Sequence, residues 1–478
     1  MKSALFFILS TAFAAIFCFA FPPFSCWFVA WFGLVPFFLI LDNDKIHINK
    51  FIAGFVSGFV FHAITLHWIS SVAGFLYLFL ALYLGFFWGV FFLLIFSFRV
   101  ELRIVIGASL WYFLEIILQH LLTGFPWIFI SLSQWNFPPT ANIASITGSA
   151  GLSALIVSIN ISIYLMLKHR KFAQFLSSLL ILILLNIASS ISAAGCQGDS
   201  FVKIFAIQGN AGYFGQDPRL TFEKYRDLTD SIKKECDLAI WPESSYPSII
   251  ENDSEVFKYL IEKSYDFPIL IGSMSTENDS IYNSAFLFNR GILSRYDKSH
   301  LVPFGEYVPG GKFGFVKKMY IRIAGGIPDM KPGKNSGVFN LNSKKFAVLI
   351  CFENIFPSLA QKNMQSDPNF LVTITNDVWY GNSFGPYQHF AHNIFRAIET
   401  GRYVIQVSTT GITGFATPNG KFETLKKNGE KLFIRGIQEI DVPVCKNKKT
   451  IYTLAGEATI AMIFLLLTGA YLCKNWIR

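Results

Sequence analysis

The chain has 478 residues, of which 53% are hydrophobic, 17% aromatic (52 are Phe) and only 15% charged. A soluble domain carries about 25% charged residues, so the deficit argues against a wholly soluble cytosolic protein, and the high hydrophobicity excludes disorder. The net charge of +9 gathers into no dense basic patch, which argues against nucleic acid as a partner. The average conceals a division. Residues 1–194 hold eight Lys/Arg and four Asp/Glu, whereas residues 195–454 hold 30 and 26. A membrane half precedes a soluble half.

A spanning helix needs about 20 mainly apolar residues. Seven segments of the first half qualify: 3–20, 26–41, 51–72, 75–98, 104–122, 147–167 and 172–194. An eighth lies near 456–473. The first is followed at once by another span and lacks a clear small-x-small cleavage site, so it reads as a span rather than a signal peptide. With Lys2 in the cytoplasm, the next cytoplasmic loops carry Lys45 and Lys50, then Arg99 and Arg103, then Lys168, Arg170 and Lys171. The opposite loops, 21–25, the turn near Gly74 and 123–146, carry no Lys or Arg. Lys474 and Arg478 return the C-terminus to the cytoplasm, so the positive-inside rule places the soluble half on the outer side. Ala193-Ala194-Gly195-Cys196 looks like a lipoprotein processing box, but it follows a seventh span and reads as a span end. The seven Cys include no CxxC pair, so zinc and redox-motif readings find no support. Whether Cys196, Cys236 or Cys445 forms a disulfide is left open.

From residue 202, short β-rich runs alternate with helical patterns. Strands are expected at Val202–Gln208, Asp237–Trp241, Pro268–Ser273, Ile281–Phe288, Lys345–Cys351, Phe370–Thr375 and Tyr403–Ser408. Helices are expected at 217–234, 253–264 and 386–401. This alternation gives a layered α/β domain, whose sites collect beyond the carboxyl ends of strands. Two runs end there on reactive residues: Asp237-Leu-Ala-Ile-Trp-Pro242 leads into Glu243, and Lys345-Phe-Ala-Val-Leu-Ile350 into Cys351. The intervening loop carries Lys298 and Glu306. A Cys, a Lys and a Glu form a chemical set: a sulfur nucleophile, a cation for an oxyanion, and a carboxylate that takes and returns protons. Each alone also reads as structural, the Cys as a small buried hydrophobe and the Glu and Lys as solvated. Spacing does not choose between the two readings.

The motifs Ile240-Trp-Pro-Glu-Ser244, Leu301-Val-Pro-Phe-Gly-Glu-Tyr-Val-Pro309, Ile350-Cys-Phe-Glu353 and Thr375-Asn-Asp-Val-Trp-Tyr-Gly381 resemble those of the nitrilase superfamily in its apolipoprotein N-acyltransferase form. So do Gly385-Pro-Tyr-Gln-His389, Arg396-Ala-Ile-Glu399, Ser408–Thr413, and in the membrane half Thr123-Gly-Phe-Pro-Trp127 and Ser133-Gln134. The resemblance implies a multi-pass α-helical membrane domain of about eight spans plus an αββα nitrilase-like sandwich. Its divisions are 1–194, 195–454 and 455–478. It further implies acyl transfer from a phospholipid donor to a diacylglyceryl-lipoprotein acceptor at the outer, periplasmic face of the inner membrane, by a monomer and without cofactor or metal. By motif, Cys351 is the nucleophile, Glu243 the general base and acid, and Lys298 the oxyanion stabiliser. Glu306 and Glu353 are supporting carboxylates, and Trp379 and Tyr380 flank the substrate. Phe352 stands where the family more often has Tyr, and its backbone N–H serves the oxyanion hole.

A membrane-tethered amidase acting on a soluble amide is the alternative enzyme, and would need a polar cleft open to water. A transporter with an outer sensor domain predicts repeats and several polar spans, and neither is present. Lys312–Ile323 projects Phe313, Val316, Met319, Tyr320 and Ile323 on one helical face and Lys317, Lys318 and Arg322 on the other, the pattern of an interfacial lid. Glu115, inside the fifth span with His120 nearby, reads as a packing or cavity-floor carboxylate. His389 and His392 lack a third ligand cluster and read as capping or cleft-lining. No Gly-rich phosphate loop follows a strand.

Overall fold

The computed structural model describes residues 2–42, 49–192, 200–211, 216–310, 329–444 and 449–476. Cys196, Cys445 and the lid segment Lys312–Ile323 lie outside these residues.

Five described stretches are long and apolar enough to cross a membrane: His67–Ser97, Val100–Thr123, Ala144–His169, Phe172–Ser192 and Ile451–Cys473. Lys2–Cys18 and Lys50–Thr65 are apolar helices of 17 and 16 residues. The expected span 26–41 is broken, with a 3-10 turn at Trp27–Trp31 and a short helix at Val35–Leu41. Pro36 has no N–H and starts a new helix. The freed backbone groups are met by one side chain: Asn160 donates to Ala30 O at 2.8 Å and accepts from Leu34 N at 2.9 Å. A break inside an apolar bundle needs such replacement bonds. The expected helix 51–72 stops at Thr65 and continues to Ala73 as short turns. The last helix starts at Ile451, earlier than expected, with a kink at Gly456 (φ +77°). At the expected cytoplasmic end, Asp42 pairs with Arg103 at 3.3 Å and with Lys168 and His169 at 2.9 Å. This joins the loop after the broken span to two other helices.

The soluble half is two packed sheets. The first contains β1 (Phe201–Gln208), β2 (Leu238–Ile240), β3 (Tyr246–Ile249), β4 (Ile269–Glu277), β5 (Ser280–Asn289), β6 (Ile292–Asp297) and β13 (Gly436–Pro443), in the order β13-β1-β2-β4-β5-β6 with β3 on β4. The second contains β7 (Val338–Leu341), β8 (Lys344–Ile350), β9 (Phe370–Thr375), β10 (Tyr403–Ser408), β11 (Gly414–Ala416) and β12 (Phe422–Thr424), in the order β12-β11-β10-β9-β8-β7. Each sheet has a parallel centre, β1-β2-β4 in one and β8-β9-β10 in the other. These strands are continuous apolar runs because both faces are covered. Val202, Ile204 and Ile240 pack across to Phe346, Val348 and Ile374. Helices Pro218–Asp230 and Ser254–Lys263 cover the outer face of the first sheet through Phe222, Tyr225, Val256 and Leu260.

The outer face of the second sheet is covered by Pro357–Asn363 and Gly385–Thr400. The Gly385–Thr400 helix is buried on every side. Its Phe390, Ile394 and Ile398 belong to one hydrophobic cluster with Leu349 and Leu371 of the sheet and Trp135, Leu152 and Ile156 of the membrane half. The fourth layer of the αββα sandwich therefore rests directly on the helix bundle.

Candidate active site

Glu243, Cys351 and Asn376 stand just past the carboxyl ends of β2, β8 and β9, where parallel strands leave backbone ends uncovered. Pro242-Glu243 turns sharply, with Ser244 at φ +52°. Gly272 of β4 lies beneath it, and a Cβ there would fall 2.4 Å from Glu243 Cα. Cys351 is itself left-handed at φ +50°, a conformation that costs a non-glycine residue about 1–2 kcal/mol. It lifts the side chain out of the strand register.

Lys298 enters from the end of β6 and is 1% exposed. Its Nζ is 2.9 Å from Glu306 Oε1 and 3.4 Å from Glu243 Oε1. Burial opposes the ammonium, but Glu306, Glu243 and Cys351 beside it hold it above the ordinary lysine range. Glu243 Oε1 also accepts from Asn283 Nδ2 at 2.7 Å, and Oε2 accepts from Asn376 N at 2.7 Å. Glu306 Oε1 accepts from the same Asn283 amide at 2.7 Å, and Oε2 from Val302 N at 2.7 Å. Burial pushes the Cys351 thiol up, the Glu243 charge adds to this, and Lys298 pulls the other way. The resting sulfur is thus a thiol that needs a base, with a carboxylate and a cation placed around it.

Glu353 is fully buried and touches none of the three. It accepts from Ile350 N at 2.8 Å on one oxygen. On the other it accepts from Tyr296 Oη at 2.8 Å, Ser299 N and Oγ at 2.7 Å and His300 N at 3.1 Å. Burial raises its carboxyl, and the bonds from Ile350, Ser299 and Tyr296 oppose that. Its role is to join the Lys298 loop to the Cys351 turn.

The wall beside the site joins the soluble half to Trp68 and Trp127 of the membrane half. Phe352 stacks on Trp127 with ring centroids 6.3 Å apart, and Tyr380 sits edge-on to Trp68 at 4.6 Å. Gln388 binds both tryptophans: its Oε1 accepts from Trp68 Nε1 and Trp127 Nε1, each at 2.9 Å, while its Nε2 donates to Thr65 O at 3.0 Å. Burial lifts the Tyr380 hydroxyl well above its usual range, with the charges of Cys351, Asp377 and Glu243 adding. Trp379 points outward, half exposed, and its carbonyl accepts from Ser71 Oγ at 3.2 Å.

Residues 13–162 match the family described as apolipoprotein N-acyltransferase N-terminal domain, and residues 203–439 match carbon-nitrogen hydrolase. An apolipoprotein N-acyltransferase of Geobacter metallireducens is 30% identical over 428 residues, covering 82% of this chain and 81% of that one. The Haemophilus ducreyi protein of the same name is 30% identical over 450 residues, covering 87% of each. The chain belongs to the apolipoprotein N-acyltransferase family. A solved CN-hydrolase superfamily protein from Xanthomonas campestris is 14% identical, with 51% of this chain and 90% of that one covered and a TM-score of 0.40.

For this apolipoprotein N-acyltransferase family member, the structure brings Glu243, Lys298, Cys351 and Glu306 into one cluster. It puts Glu353 one layer behind them and Phe352 and Tyr380 at the wall. Trp379 is at the rim rather than in the site. Asn283, Asn376 and Gln388 were not singled out from sequence. An Asn within an apolar strand is disfavoured, and that was the available signal for Asn283. His389 is neither a helix cap nor a lining group: it is buried with its ring against Asp377 and the Cys351 backbone. Glu115 accepts from Trp111 Nε1 at 2.9 Å and Ile130 N at 3.2 Å, a packing role inside the bundle. Among the described residues, no three His, Cys, Asp or Glu gather as metal ligands, and Cys236 is a free thiol.

Proposed function

We propose that this chain transfers a fatty acyl chain from a phospholipid to the N-terminal amine of the diacylglyceryl-cysteine of a lipoprotein, through a thioester on Cys351. Glu243 takes the thiol proton and the sulfur attacks the ester carbonyl. Lys298 Nζ and the Phe352 backbone N–H stabilise the oxyanion. The carbon–oxygen bond breaks, and Glu243 returns the proton to the departing lysophospholipid hydroxyl. The acceptor amine then attacks the thioester carbonyl, Glu243 relays its proton to the leaving thiolate, and an amide remains.

The observation that carries this reading is the wall: Trp68 and Trp127, from the membrane half, close over Phe352 and Tyr380 beside the cysteine. An apolar cover built from a bilayer frame suits an acyl chain and keeps water from a thioester. An amidase for soluble amides would need a polar cleft open to water, which this cover does not supply. The same reading takes 1–194 and 455–478 as membrane parts and 195–454 as the catalytic part. It sets the catalytic part on the periplasmic side of the inner (cytoplasmic) membrane, as the charge pattern of the loops supports. One chain supplies the whole cluster, so a monomer suffices.

Mass spectrometry of the purified protein mixed with phospholipid tests the proposal. A fatty acyl adduct on Cys351, discharged by a diacylglyceryl-peptide amine, is expected. No adduct, together with full activity of Cys351→Ser, would overturn it.

A further inference from the structure

Cys351 holds a left-handed backbone (φ +50°) immediately after β8. A residue in that state has left the strand ladder, and its carbonyl needs another partner. The partner is His389, on the buried helix Gly385–Thr400. Its Nε2 is 3.3 Å from Cys351 O, and its Nδ1 is 2.9 Å from Asp377 Oδ1. The same Asp377 oxygen accepts from Thr375 Oγ1 at 2.9 Å. The imidazole is fully buried, stacked on Trp127 at 5.5 Å and 21° and edge-on to Tyr380 at 5.8 Å and 84°. Both ring nitrogens therefore face acceptor oxygens, and these contacts with the stacked rings fix the orientation of the imidazole.

The geometry points to His389 as a positioning residue for acyl transfer: anchored by Asp377, it holds the Cys351 carbonyl and thereby aims the sulfur between Glu243 and Lys298. This rests on Cys351 being the nucleophile. His389 touches no reacting atom; it acts through the nucleophile's backbone. The chain of contacts runs from the end of β9 through the helix to the end of β8. It locks together two strand ends that the sheet itself does not tie past Ile350 and Ile374.

The two conservative substitutions separate positioning from packing. The amide nitrogen of Gln reaches the place of Nε2 and keeps the bond to Cys351 O. That of Asn reaches only the place of Nδ1 and keeps the bond to Asp377. Full-length protein in detergent with phospholipid is assayed for the rate of acyl-enzyme formation, and separately for alkylation of Cys351 by iodoacetamide. H389N is expected to slow acyl-enzyme formation about 10- to 100-fold at unchanged KM, as small misplacements of a reacting group do. H389Q should stay within about 5-fold of the parent, because it keeps the bond that sets that placement. Equal effects of both substitutions, large or absent, would overturn the proposal. Should H389N fail to accumulate folded, H389Q decides: normal thermal unfolding with a loss beyond about 10-fold refutes the positioning role. If the unaltered protein forms no adduct on Cys351 and Cys351→Ser is fully active, the acyl-transfer reading itself fails and this role falls with it. Normal adduct formation with equal variants removes the positioning role alone.

Discussion

Glu353 Oε1 accepts from both the backbone N–H and the hydroxyl of Ser299, each at 2.7 Å. Ser299 follows the lysine and Glu353 stands two residues beyond the cysteine. One buried carboxylate thus sets the distance between the Lys298 loop and the Cys351 turn. Glu353→Gln keeps the shape but puts an N–H₂ in place of one oxygen, against backbone donors that cannot reverse: Ile350 N on one side, or Ser299 N and His300 N on the other. We expect about 2–4 kcal/mol of destabilisation from unpaired buried donors and a drop in acyl-enzyme formation. Thermal unfolding and single-turnover kinetics measure both, and an unchanged unfolding midpoint would count against this account.

Gln388 bonds Trp68, Trp127 and Thr65 together. Gln388→Leu fills the space yet leaves two indole N–H groups and a carbonyl unmet. At about 1–3 kcal/mol per buried unsatisfied group, it should lower the melting temperature clearly. Gln388→Glu keeps both acceptor bonds and should be the milder change in the same melt.

Gly272 permits the approach of β4 to the Pro242-Glu243 turn. Its Cβ would meet Glu243 Cα at 2.4 Å and Pro242 O at 2.7 Å, both backbone atoms that do not yield easily. Gly272→Ala should shift the base and reduce turnover about 100-fold, as misplacements near 1 Å do. Activity within a few-fold of the parent would show that the turn relaxes around the methyl.

Burial holds the folded Cys351 thiol above its unfolded value. The protonated thiol therefore supports folding fully below the unfolded pKa, about 8.5, and that support is lost as pH rises toward the folded value. Between pH 8.5 and 10, the parent should lose stability relative to Cys351→Ala by up to about 1.4 kcal/mol per pH unit. Chemical denaturation across that range reads the slope, and parallel curves would contradict it.

Glu243 and Cys351 were legible because each ends a continuous apolar run. Trp241-Pro242 and Leu349-Ile350 carry strand signal up to the reactive residue, and chain order alone puts it at the strand's carboxyl end. Lys298 and Glu306 were legible only through their motif. Asn283 and Gln388 were not, because their meaning lies in distant partners: Asn283 in Glu243, Gln388 in Trp68 and Trp127. The broken span 26–41 had its sign in Pro36, yet what makes the break tolerable is Asn160, four helices later in the chain. Local patterns reveal where chemistry sits; the bonds that hold it steady are long-range.

β1 and β13, the first and last strands of the sandwich, pair antiparallel, with Phe201 opposite Pro443 and Gln208 opposite Gly436. The sandwich therefore receives and releases the chain at a single edge. A unit whose two ends adjoin can be lodged in the connection between two helices at little closure entropy. The soluble half is in this sense a cassette: the chain enters and leaves it side by side, at one edge of one sheet.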